Sequence, residues 1–105
     1  QGVEKVLCLS VNDAFVLYQW SKAQGIEKVG MLPDGNGEFT RKMGMLVDRS
    51  GQGMGMRSWR YSMLVEDRRI VQLFAEPGFC DNPPGVPMER SSAEVMLEYL
   101  QSRTG

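Results

Sequence analysis

The 105-residue sequence predicts an α/β protein, a layered arrangement within a single domain. Three features lead there: short apolar runs with β-branched residues, longer stretches with a helical period between them, and turn-forming clusters at each changeover. Val3 to Val11 (V-E-K-V-L-C-L-S-V) is the first such run and reads as a strand buried on both faces, as in a parallel sheet. Asn12-Asp13 supplies helix-capping oxygens, and Ala14 to Gln24 carries a helical period. Phe15 and Tyr18, joined by Leu17, fall on one side of it, and Gln19, Lys22 and Gln24 on the other. Gly25 suits the position just past the helix end.

Lys28 to Leu32 reads as a second strand, and Pro33-Asp34-Gly35-Asn36-Gly37 as a turn. A short helix from Glu38 to Met43 is closed by Gly44. From Val47 to Arg57 the pattern dissolves into Gly, Ser and Met, which predicts a loop. Trp59 to Glu66 alternates as a strand should, with Ile70 to Ala75 as its hairpin partner across Asp67-Arg68-Arg69. Glu76 to Arg90 is rich in Pro and Gly and predicts a second loop. Ser91 or Ser92 then caps a final helix whose apolar stripe is Val95, Met96, Tyr99 and Leu100. The expected order is βαβα, a loop, then ββα.

Composition removes several functions. Twelve Lys+Arg against 13 Asp+Glu leave a formal charge of −1, without the excess of cations a nucleic-acid surface needs. No apolar run approaches the roughly 20 residues that cross a bilayer, and nothing at the start reads as a signal peptide. A cytoplasmic location is therefore expected. The chain has no histidine, which removes Ser-His-Asp and Cys-His nucleophile pairs and His-ligated metals. The two cysteines, Cys8 and Cys80, form no C-x-x-C and are too few for a thiolate zinc site. Free thiols in a reducing compartment are the expectation. Chemistry must then rest on Cys, Arg, carboxylates, Tyr or a cofactor.

The remaining motifs have plain readings beside their chemical ones. The G-Q-G-M-G-M run at 51–56 lacks the strand before it, the helix after it and the Gly-Lys-Ser/Thr of a phosphate loop, so it reads as a connection. Asp34, Asn36 and Glu38 alternate as calcium ligands can, but the rest of a twelve-residue calcium loop is missing and a tight turn accounts for them. The 8 methionines could offer thioethers to copper(I), or fill the core and loops as adaptable side chains. Cys8, between Leu7 and Leu9, is expected to be buried and chemically quiet, and Cys80, in a polar loop, to be accessible. In W-R-Y-S-M-L-V, Arg60 shares a face with Ser62 and Leu64, opposite Trp59, Tyr61, Met63 and Val65. At the start of a strand beside a loop, Arg60 could aim its guanidinium into a cleft and stabilise a thiolate or an anionic oxygen. From the residues alone, the favoured reading is a surface arginine paired with a carboxylate.

Four blocks carry a family likeness: V-L-C-L-S-V-N-D-A-F-V, W-S-K-A-Q, R-S-W-R-Y-S-M-L-V-E-D and A-E-P-G-F-C-D-N. In this order and spacing, from Val3 to about Leu100, the chain resembles the type II peroxiredoxins of the redoxin superfamily, in particular the glutathione- or glutaredoxin-linked bacterial enzymes. The resemblance implies a thioredoxin-like fold and a thiol peroxidase that reduces hydrogen peroxide and alkyl hydroperoxides. It needs no metal or organic cofactor, only an external thiol reductant: glutathione, glutaredoxin or thioredoxin. Members are commonly homodimers. The family's active-site arginine maps onto Arg60, and Cys80 is a candidate resolving thiol in the late loop.

The family's P-x-x-x-T/S-x-x-C segment is not found in this sequence, and in the family it lies ahead of the strand that Val3–Val11 resembles. The resemblance therefore implies a partial thioredoxin-like domain over residues 1–105, the C-terminal two-thirds of the whole. It would lack the N-terminal strands, the helix of the peroxidatic cysteine and that cysteine itself. Alone, such a segment is expected to be inactive and unstable. A second reading is a non-catalytic redoxin-like module that binds a full-length peroxiredoxin.

Overall fold

The computed structural model describes all residues except 1, 2, 4, 27, 84, 86, 87 and 105. Of the strand expected over Val3 to Val11, residue 4 lies outside the described residues; the described strand runs only from Leu7 to Ser10, and it is half-buried to exposed rather than buried on both faces. Two compact units make up the chain, Gly2–Ser58 and Trp59–Gly105.

The first unit opens on a βαβ motif. Strand β1 (Leu7–Ser10) runs parallel to β2 (Gly30–Pro33), with Leu7 opposite Gly30 and Ser10 opposite Pro33. Helix α1 (Ala14–Ala23) makes the crossover, a connection that parallel strands require. The Asp13 carboxylate caps it by accepting the Val16 N–H at 2.8 Å. The expected apolar side of this helix is corrected: Phe15 and Tyr18 face water, and the packed side runs through buried Leu17 and half-buried Ser21, four residues apart.

Helix α2 (Glu38–Lys42) begins at Gly37, whose φ of +70° puts it in the left-handed region and which offers no side chain as a cap. Asp34 supplies the cap from the turn before it. Its carboxylate accepts the N–H groups of Phe39 at 3.2 Å and Thr40 at 2.8 Å, and the hydroxyl of fully buried Thr40 at 2.6 Å. Burial pushes this carboxyl up, but the Thr40, Phe39 and Glu38 donors outweigh it and hold it below the ordinary aspartate value.

The loop expected over Val47 to Arg57 is a hairpin. Strand β3 (Leu46–Asp48) pairs antiparallel with β4 (Met56–Ser58) across a helical turn at Ser50–Gln52. Val47 is only 1% exposed, so an apolar anchor lies inside what reads as a flexible run. Strands of three residues are too short for alternation to show.

In the second unit, β5 (Tyr61–Glu66) and β6 (Arg69–Ala75) pair antiparallel from Tyr61 opposite Ala75 to Glu66 opposite Arg69, with an irregularity at Leu64/Val65. The turn is two residues rather than three. Asp67 and Arg68 have φ of +50° and +65°, the backbone signs of the tight turn that matches strand twist. Helix α3 (Ala93–Thr104) starts where the Ser92 hydroxyl accepts the Val95 N–H at 3.3 Å. It packs on the hairpin through the Phe74–Tyr99 ring contact at 5.8 Å and an Arg103–Glu66 ion pair at 2.7 Å, and its Leu100 is buried.

The expectation of a fold without its N-terminal strands is corrected by β1 and α1, a strand and helix built ahead of everything else in the described chain. That expectation rested on a missing motif, and a missing motif does not decide which elements the remaining residues form. None of the described helices is long and apolar enough to cross a membrane.

Candidate functional site

Trp59 and Arg60 lie just ahead of β5 rather than within it. Trp59 is only 4% exposed; its indole N–H donates to the Glu76 carbonyl at 2.7 Å and its ring meets Phe79 edge-on at 5.3 Å. The Arg60 carbonyl accepts the Glu76 N–H at 3.1 Å, one rung beyond the Tyr61–Ala75 pair that ends the ladder. Residue 76 thus holds both residues 59 and 60 by its main chain. The alternation that buries Trp59 leaves Arg60 exposed. Ser62, on the same face, has the one buried side-chain hydroxyl without a partner among the described residues.

Glu76 is 3% exposed, an unusual place for a carboxylate. Four donors surround it: the N–H groups of Glu89 at 3.1 Å, Arg90 at 2.9 Å and Ser91 at 2.6 Å, and the Ser91 hydroxyl at 2.6 Å. Burial pushes the carboxyl up, yet the Ser91, Arg90 and Glu89 donors more than offset this and bring it down to about 2. Because the folded value lies below the unfolded one of 4.5, the charged carboxylate stabilises the fold fully above pH 4.5. That stabilisation is lost as pH falls through the folded value. Thermal melts from pH 6 to about pH 2 are expected to show a falling midpoint in this window, and Glu76→Gln to flatten the fall.

Cys80 is exposed on the loop after β6, as the sequence predicts. Cys8 is only half-buried in β1, beside an open groove lined by Ser10, Asn12, Val16, Leu17 and Trp20. It belongs to the other unit. The expectation of a chain without its own peroxidatic sulfur, inactive by itself, is corrected by these two free thiols. A motif frames a sulfur; its absence does not remove the sulfurs that are present.

Two anchoring residues escaped the sequence pattern. Arg57 in β4 donates from Nη1 to the Val11 carbonyl at 2.8 Å and from Nε to the Met54 carbonyl at 2.6 Å, tying the hairpin to the end of the first strand. Glu76 is the other. Its only signal is an acid directly after an apolar strand and before Pro77. The Asp34-Asn36-Glu38 turn is an α2 cap, and no group of three potential ligands that could hold a metal exists among the described residues.

Residues 1–94 match the model of the redoxin family. A peroxiredoxin of Synechocystis is 62% identical over 100 residues, which is 95% of this chain and 53% of the relative. A hybrid peroxiredoxin of Haemophilus influenzae is 48% identical over 94% of this chain and 39% of its own length. Among solved structures, the Plasmodium falciparum antioxidant protein, a 1-Cys peroxiredoxin, superposes with a TM-score of 0.91 at 36% identity, over 96% of this chain and 59% of that one. The reduced Vibrio vulnificus peroxiredoxin in complex with hydrogen peroxide gives 0.85 at 37%, over 98% and 59%. The chain spans about half the length of the curated relatives it matches. These matches correct the expectation of a C-terminal two-thirds: the likeness includes the N-terminal strand and helix, and the share of the relative's length is 53% for the Synechocystis protein.

Proposed function

The chain belongs to the redoxin family, and from that premise we propose that the protein is a thiol-dependent peroxidase in which Arg60 assists a cysteine thiolate. The observation that carries this reading is the likeness to peroxiredoxins along nearly the whole chain, and Arg60 is our assignment for the family's arginine. The thiolate's electron pair attacks one oxygen of R–O–OH, the O–O bond breaks, and R–O⁻ leaves and takes up a proton. The sulfur becomes a sulfenic acid. A guanidinium favours the thiolate over the thiol and offers several N–H donors to the peroxide oxygens as charge builds on them. Its exposure ahead of β5 leaves it accessible to a substrate.

The sulfenic acid is returned to thiol by glutathione, glutaredoxin or thioredoxin. Exposed Cys80 is the candidate for a resolving thiol, and the assembly is a homodimer. The family model runs across both compact units, which supports reading residues 1–105 as one redoxin domain. Two free thiols and an external reductant suit the cytoplasm.

The test is turnover of hydrogen peroxide and of an organic hydroperoxide by the protein expressed from its own gene, with each thiol donor supplied separately. One donor dithiol, or two monothiols, should be oxidised per peroxide consumed. No consumption with any donor overturns the reading, and full turnover by Cys80→Ser removes Cys80 from the cycle.

A further inference from the structure

The peroxidase reading leaves Glu76 unused, although it is the most heavily hydrogen-bonded side chain beside Arg60. A carboxylate has no donor of its own and loses much hydration when buried, so it is retained where surrounding groups replace water. Here three consecutive backbone N–H groups and one hydroxyl do so. They all come from residues 89–91, the segment that leads into α3. The effect is to fix residue 76 against that segment. The main chain of residue 76 in turn faces the other way: its N–H donates to Arg60 and its carbonyl accepts from the buried Trp59 indole. A single residue therefore joins the α3 lead-in to Arg60, from which the exposed guanidinium projects, and to its neighbour Trp59.

Resting on the assignment of Arg60 to the peroxide chemistry, we propose that Glu76 is a positioning residue: its buried carboxylate locks the main chain at 76, and through it the backbone of Arg60, so that the guanidinium is presented in one place. The charge contributes to stability, but the same four hydrogen bonds also fix the main chain at 76. An apolar side chain of similar volume could fill the space, but it would release the N–H groups of 89–91 and with them the lock. A guanidinium that wanders by about an ångström loses much of its effect on a reacting centre, because such stabilisation depends on donors already in place.

The experiment compares Glu76→Gln, Ser91→Ala, Arg60→Ala and the double variant Arg60→Ala/Glu76→Gln in the natively expressed protein. Peroxide kcat/KM is measured across pH, with the folded fraction checked by circular dichroism. Glu76→Gln keeps the shape but turns an NH2 toward donors that need an acceptor. It is expected to lower kcat/KM about tenfold and to move the acid limb of the pH–rate profile upward. It should add nothing in the Arg60→Ala background. Ser91→Ala removes one of the four donors and is expected to give a smaller shift in the same direction; it serves where Glu76→Gln does not fold. A lowered melting midpoint with an unmoved pH profile in the folded variant overturns the proposal, since that is the result of a purely structural role. So does an undiminished Glu76→Gln effect in the double variant. If Arg60→Ala itself changes nothing, the assignment of Arg60 fails first, a result distinct from Arg60→Ala slowing turnover while Glu76→Gln does not.

Discussion

Arg60→Ala is expected to lower kcat/KM for hydrogen peroxide by about 10²- to 10³-fold, the loss typical when one preorganised donor to developing charge is removed. The loss has two parts with different pH behaviour. A free thiol in general titrates near 8.5 and is about 3% thiolate at pH 7, so a thiolate that depends on a nearby cation is mostly lost without it. That part of the deficit vanishes as pH rises above 9, where the thiolate forms unaided. The remainder, from lost hydrogen bonding to the peroxide oxygens, persists at all pH values. Arg60→Lys should recover the first part better than the second, because an ammonium keeps the charge but not the planar fork of donors. The same substitution should barely alter stability, within about 0.5 kcal/mol, since Arg60 is exposed and its packing contribution small. A normal melt with collapsed turnover is the signature; unchanged turnover at pH 7 refutes the role.

The sequence reveals those parts of the fold in which local chemistry and tertiary environment agree. The β5–β6 hairpin combines an alternating period with a turn, and the structure keeps it; the Asp13 cap likewise places helix α1, although the side of it that packs is not the one its apolar residues suggest. Two kinds of feature stayed hidden. One is structure too short to have a period: β3 and β4 are three residues each, and their anchor, Val47, sits in a stretch dominated by glycine and methionine. The other is a polar group whose partners are distant in sequence. Glu76 finds its donors 13 to 15 residues away, and Arg57 reaches a carbonyl 46 positions away. No propensity marks such pairings, since a Glu after a strand reads as solvated until the chain brings unsatisfied N–H groups to it. The exposure of Arg60 opposite buried Trp59 was legible from the alternating run, whereas what holds its backbone was not. The absence of a P-x-x-x-T/S-x-x-C motif carries no information on β1 and α1, because other residues build that strand and helix.

Trp59→Ala is expected to be the most destabilising single change in the Trp59–Gly105 unit, at about 3–5 kcal/mol. Against a typical domain stability of about 5–15 kcal/mol, this leaves little or nothing. The cost has three sources in the structure. The indole is 4% exposed, so truncation opens a cavity that the short hairpin cannot close by collapse. Its ring contact with Phe79 is lost, and Phe79 is already half exposed. The Glu76 carbonyl loses its indole donor. Trp59→Phe separates these sources, because it keeps most of the ring volume while removing the N–H. It should cost about 1–3 kcal/mol, the penalty for a buried acceptor left without its partner. Denaturant midpoints at pH 7, where the Glu76 carboxylate is charged in both folded and unfolded chains, measure the difference without interference from titration. A cost below about 1 kcal/mol for the alanine variant would mean that the indole is not what secures the chain ahead of β5. The lock on Arg60 would then have to rest on the residue 76 N–H alone, a single hydrogen bond that frays readily at the end of a two-stranded ladder.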